Sequence, residues 1–102
     1  MTNEKYGKTE GTREIDTLKL VASCWLFSVP VTRYPDYKLS REINDNLDKF
    51  VSNLGCVLRE CGSGTGTMRQ PIIAFRVRIE KDIEENVKKI KDYLTEKVMP
   101  NV

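Results

Sequence analysis

Apolar residues in this chain switch between two spacings along its length, and the order of those switches limits the available folds more than any motif does. Between residues 17 and 31 they alternate, with Leu18, Leu20, Ala22, Cys24 and Leu26 on one side, as in a β-strand. Leu39, Ile43, Leu47, Phe50, Val51 and Leu54 then fall three and four apart, which lines one face of a helix. Strand-like runs return at residues 56–61 and 71–79. In the second of these, Ile73, Phe75, Val77 and Ile79 alternate with Ile72, Ala74, Arg76 and Arg78. Ile83, Val87, Ile90, Leu94 and Val98 close the pattern on a second helical face.

Local chemistry sharpens these limits. Pro30 has no amide proton, so pairing is expected to fail near it or face outward. The first helix is expected to start at about Asp36 or Ser40, with Ser40 as its N-cap, and to end at Asn53 before Gly55, which suits a left-handed C-terminal position. The second carries Glu80, Asp82 and Glu84 at its start and lysines toward its end, as the helix dipole favours. Glu84 with Lys88 and Glu85 with Lys89 are acid-before-base pairs four residues apart.

Strand, helix, strand, strand, helix is the order of the first five elements of a ferredoxin-like fold, with the sixth, a strand, absent. The expected class is therefore α+β: a partial ferredoxin-like β-α-β-β-α unit whose three-stranded antiparallel sheet carries two helices on one face. That arrangement leaves the strand at 17–31 on an open edge, and long apolar edges invite pairing. A homodimer through strand 17–31 or through the open sheet face is the expectation that follows.

With 102 residues there is material for one core. Residues 1–14 lack periodicity and read as a flexible lead-in, and 15–102 read as a single domain. A composition of 39% hydrophobic and 31% charged residues fits a water-soluble globule. The longest apolar run, around residues 21–31, is well short of the roughly 20 residues that span a bilayer, and the N-terminal stretch has no apolar core like that of a signal peptide. No membrane association is expected, and the cytoplasm is the expected location. Cys24, Cys56 and Cys61 form no paired framework, and with no histidine they offer no zinc site; they read as small buried residues in strands.

Two surfaces could carry an activity. If the helices cover the side bearing Leu20, Leu26, Ile73, Phe75 and Val77, the other side presents Val21, Trp25, Phe27, Arg59, Ile72, Ala74, Arg76 and Arg78. An apolar patch rimmed by arginines marks a contact surface, and Trp25, Phe27, Arg59, Ile72, Arg76 and Arg78 are its candidate partner-binding residues. A second protomer, another protein or single-stranded nucleic acid would fit it. The strand at 71–79 lacks the glycine-aromatic signature of RNA-recognition strands, and a net charge of +2 is far from a phosphate-gripping bias.

The second surface is the glycine-punctuated stretch Gly62, Ser63, Gly64, Thr65 and Gly66, read as a loop that could hold an anion or a nucleotide with Arg69. A strand follows it, whereas the phosphate-binding loops of nucleotide enzymes lead into a helix. Arg33, Tyr34, Asp36 and Tyr37 cluster after the first strand, as turn residues do. No catalytic set, metal or cofactor is assigned. The functional expectation is a small non-enzymatic binding or regulatory protein acting by protein–protein contact, of the kind that a phage or mobile element uses to occupy a host protein. The alternatives are an anion- or nucleotide-binding domain and a single-stranded nucleic-acid binder.

Overall fold

Where the sequence reads one strand between residues 17 and 31, the chain makes two. The computed structural model describes residues 13–66 and 69–102. The expected lead-in over residues 1–14 therefore lies outside the described residues, apart from Arg13 and Glu14. β1 spans Asp16–Lys19 and β2 spans Cys24–Pro30, paired antiparallel with Leu18 opposite Leu26. Between them the Leu20 amide donates to the Cys24 carbonyl (2.8 Å) and the Cys24 amide to the Val21 carbonyl (3.2 Å). Ala22 and Ser23 turn the chain at φ 59° and 64°. Such left-handed conformations cost about 1–2 kcal/mol per non-glycine residue. The Ile79 amide, donating to the Ser23 carbonyl at 2.9 Å, ties the loop to the far end of the sheet.

Helix α1, Tyr37–Asn53, begins at Asp36, whose carboxylate accepts the Leu39 amide at 2.8 Å. Asp36, four residues before the expected Ser40, is thus the N-cap. The helix ends as its glycine implies. Gly55 sits at φ 80°, its amide donates to the Ser52 carbonyl at 3.0 Å, and the Cys56 amide reaches back to Val51 at 2.9 Å. Together these bonds satisfy carbonyls that the helix terminus would leave open.

β3, Val57–Thr65, and β4, Pro71–Arg78, form a hairpin with a bulge between Leu58 and Glu60. Helix α2, Ile83–Tyr93, runs on into a wider π-type turn at Leu94–Val98 and a 3₁₀ turn at Met99–Asn101. It starts at Asp82 in a left-handed conformation (φ 50°), and the buried Asn86 donates its side-chain amide to the Lys81 carbonyl at 3.0 Å. Of the acid-before-base pairs, Glu85 meets Lys89 at 2.9 Å, whereas Lys88 turns forward to Asp92 at 3.0 Å.

The sheet therefore has four strands, not three, in the order β1-β2-β4-β3 with every neighbour antiparallel. The edge expected to be open along strand 17–31 is occupied by β1 of the same chain. Phe27 lies opposite Phe75, Val29 opposite Ile73 and Trp25 opposite Val77. Those side chains join Ile43, Leu47 and Val51 of α1 and Ile90 of α2 in one core, so both helices cover the same face of the sheet. Full burial of a residue such as Phe27 or Leu47 contributes about 1.5–3 kcal/mol. At one end of the sheet, Arg13 donates to the carbonyls of Pro30 (3.2 Å) and Met99 (3.3 Å), tying β2 to the last turn.

Candidate functional site

The pairing register decides which residues the uncovered face presents. Rows run across all four strands: Leu18, Leu26, Arg76 and Glu60 in one, Asp16, Ser28, Ala74 and Gly62 in the next. Pro30, Ile72 and Gly64 form a third row, and Cys24, Arg78 and Val57 a fourth. Of the expected contact residues, Ile72, Arg76 and Arg78 are therefore on this face, while Trp25 and Phe27 are not. Both of those aromatics point toward the helices, and Phe27 has no exposed surface. The reason is the Phe27–Phe75 pairing, which turns Leu26 outward in place of the aromatics. Arg59 falls in the bulge of β3 and has no register partner.

The face that results mixes apolar residues with balanced charges. Leu18 is 58% exposed beside the half-buried Leu26, Ile72 and Ala74. Arg76 meets Glu60 at 3.4 Å and Arg78 meets Glu80 at 3.3 Å, so each cation carries its own acid. Exposed pairs of this kind add little to stability. The Arg76 Nε is nevertheless buried with no acceptor among the described residues. Next to this face, Val21 at the β1–β2 loop is 85% exposed.

The glycine stretch is a strand rather than a loop. Gly62, Ser63, Gly64 and Thr65 pair with Ala74, Ile73, Ile72 and Pro71, and only Gly66 belongs to the turn, its amide donating to Gln70 at 2.7 Å. Amides in a strand alternate sides, so these do not converge on one anion. Arg69 stands in the turn at φ 60°, its amide bonded to the Gly66 carbonyl at 3.2 Å. A side chain added at Gly62 or Gly64 would meet nothing, whereas at Gly66 it would press on Ile72.

On the helix side of β3 the sequence supplies only Cys61, Ser63 and Thr65 beyond Leu58, all too small to fill the space beneath α1. A pocket of about 210 Å³ remains, walled by Pro35, Ser40 and Ile43, with Ile73 and Phe75 beneath and residues 61–63 along the strand. The Cys61 thiol donates to the Asn44 side-chain oxygen at 3.1 Å, and its partial burial raises its pKa above the ordinary thiol value. The residues clustered after the first strand have structural tasks around this pocket. Tyr34 donates its hydroxyl to the Gly64 carbonyl at 2.6 Å, Asp36 caps α1, and the Tyr37 hydroxyl accepts from Arg41 at 3.3 Å. The pocket escapes sequence reasoning because it arises from what the small side chains of β3 leave unfilled.

Cys56 is buried, Cys24 half-buried and Cys61 exposed, and all three are free thiols. No described helix is long and apolar enough to cross a membrane. No protein-family model matches the chain, and neither a curated protein nor a solved structure is detectably similar to it.

Proposed function

We propose that this chain is a small non-enzymatic binding protein that acts by protein–protein contact through its uncovered sheet face. The observation that carries the reading is the exposure of Leu18, on the edge strand β1, next to Leu26 on a face that neither helix covers. Apolar patches with a charged rim mark contact surfaces.

Single-stranded nucleic acid is the weaker reading, because base stacking needs aromatic residues and the described residues of this face include none. Its arginines are also engaged with Glu60 and Glu80. The same contact reading covers a second copy of the chain and an accessory protein that occupies a host protein. Three free thiols suit the reducing cytoplasm, where we place the protein. We also read β2, α1, β3, β4 and α2 as a ferredoxin-like unit. The support is that β4 lies between β2 and β3, and that β1 stands beside β2 where that fold carries its final strand.

Solution mass by light scattering, for wild type and for a Leu18→Lys, Leu26→Lys double variant, tests the reading. A wild-type dimer that becomes a folded monomer in the variant assigns the face to self-contact. A wild-type monomer makes it bait for a different protein, and a capture that the double variant leaves unchanged removes the face from consideration. Oligonucleotide binding that weakens steeply with added salt would favour the nucleic-acid reading instead.

A further inference from the structure

The two ends of the sheet row differ. β1 is a four-residue edge carrying Asp16 and Lys19, a short charged strand of the kind that discourages pairing. β3 is a nine-residue edge whose bulge at Arg59 protects only its beginning. Since the Gly66 amide bonds Gln70, antiparallel alternation directs the backbone groups of Gly64 and Gly62 toward β4 and turns those of Cys61, Ser63 and Thr65 outward. β3 pairs with no strand other than β4, and no backbone hydrogen bond to these outward groups occurs among the described residues.

On the uncovered face this stretch carries only glycines, which leave an approaching strand unobstructed. On the helix face the pocket beneath α1 opens beside the same outward groups. Its lining of Pro35, Ser40, Ile43, Ile73, Phe75 and residues 61–63 has no charged side chain, so it complements an uncharged apolar group. At about 210 Å³ it is below the roughly 300–1,000 Å³ of small-molecule sites and is of side-chain scale.

We propose that the cleft between α1 and the β3 edge receives an extended segment of a partner protein, which adds a strand to β3 and seats one large apolar side chain in the pocket. Main-chain pairing with Cys61, Ser63 and Thr65 supplies the affinity, and the pocket supplies the preference for the side chain. A second copy of β3 is the poorer occupant, because it would offer only cysteine, serine or threonine to a pocket that these residues leave empty in the first place. The site is separate from the uncovered sheet face and stands or falls independently of it.

The test titrates fluorescein-labelled seven-residue peptides, alternating threonine with one guest residue, into the full chain and follows anisotropy. Leucine and phenylalanine guests are expected to bind at least tenfold more tightly than glutamate or lysine guests. Cys61→Phe, which fills the pocket, should erase that preference. Two leucine-guest peptides N-methylated at every second amide, one in each phase, keep the result independent of how the variant folds. The phase facing β3 should lose binding at least tenfold and the other should retain it. Leu26→Lys, on the uncovered face, should change nothing. Absence of binding by every guest, equal affinity across guests, identical behaviour of the two methylated phases, or loss of binding in Leu26→Lys would each overturn the proposal.

Discussion

Phe27 lies directly opposite Phe75 on adjacent antiparallel strands, and the two rings are at most 2% exposed. Because strand side chains alternate, this one pairing assigns every other residue of β2 and β4 to a face. Phe27→Ala should therefore cost about 3–5 kcal/mol, as large-to-small changes in a filled core do. Leu26→Ala, one residue away on the uncovered side, should cost less, about 1–2 kcal/mol, because that side chain is only partly buried and leaves no closed cavity. Urea denaturation of both variants distinguishes the faces, and equal losses would contradict the register.

The β1–β2 turn holds Ala22 and Ser23 at positive φ without glycine. Glycine relieves the left-handed cost of about 1–2 kcal/mol and adds back about 0.5–1 kcal/mol of chain entropy. Ala22→Gly should therefore raise the urea midpoint by an amount equivalent to about 0.5–1 kcal/mol, with the denaturant slope unchanged.

Two glycines on either side of β3's beginning should respond in opposite directions to alanine. Gly55 at φ 80° closes α1, and Gly55→Ala should destabilise by about 1 kcal/mol or more. Gly62 has open space around an added Cβ and no left-handed backbone, so Gly62→Ala should be neutral or stabilising by about 0.5 kcal/mol. Thermal unfolding of the pair reads both signs in one experiment.

Burial raises the thiol pKa values of Cys56 and Cys61 from the ordinary value of 9.0. A folded-state pKa above the unfolded value contributes stability that is fully present below the unfolded value and is lost as pH rises through the folded one. Stability should accordingly hold up to about pH 9 with respect to these groups and decline above it, and Cys56→Ala should flatten part of that decline. A thiol-reactive dye should modify the exposed Cys61 in the native protein, at a rate still increasing past pH 9, and reach Cys56 only on unfolding.

The helices and β4 were legible because their apolar residues keep one period and their ends carry the expected chemistry: Ile43, Leu47 and Val51 in α1, Ile73, Phe75 and Val77 in β4, Gly55 after α1. Residues 24–27 are apolar at every position, so alternation alone has no phase there, and only contact with Phe75 selects Phe27 over Leu26 for the core. The turn at Ala22 and Ser23 lacks the glycine or asparagine that normally announces a left-handed hairpin. Asp36 and Ser40 are both good N-caps, and the sequence cannot rank them. The glycines of β3 favour a loop by their intrinsic preference, and pairing along β4 overrides it. The pocket beside them depends on distances between α1 and the sheet, which no linear pattern records.

The glycine-rich half of β3 also affects how the molecule opens. From Cys61 to Gly66 no large side chain secures the hairpin to the core, whereas β2 and β4 are locked together by Phe27, Val29, Phe75 and Val77. Native-state hydrogen exchange should thus divide the sheet into two zones. Amides shared by β2 and β4 exchange only through global unfolding, while those of Gly62 and Gly64 escape through a local fraying of the β3–β4 ladder that the Tyr34 hydroxyl also opposes. Losing that single hydroxyl in Tyr34→Phe would therefore quicken exchange at the hairpin and leave the central strands as slow as before.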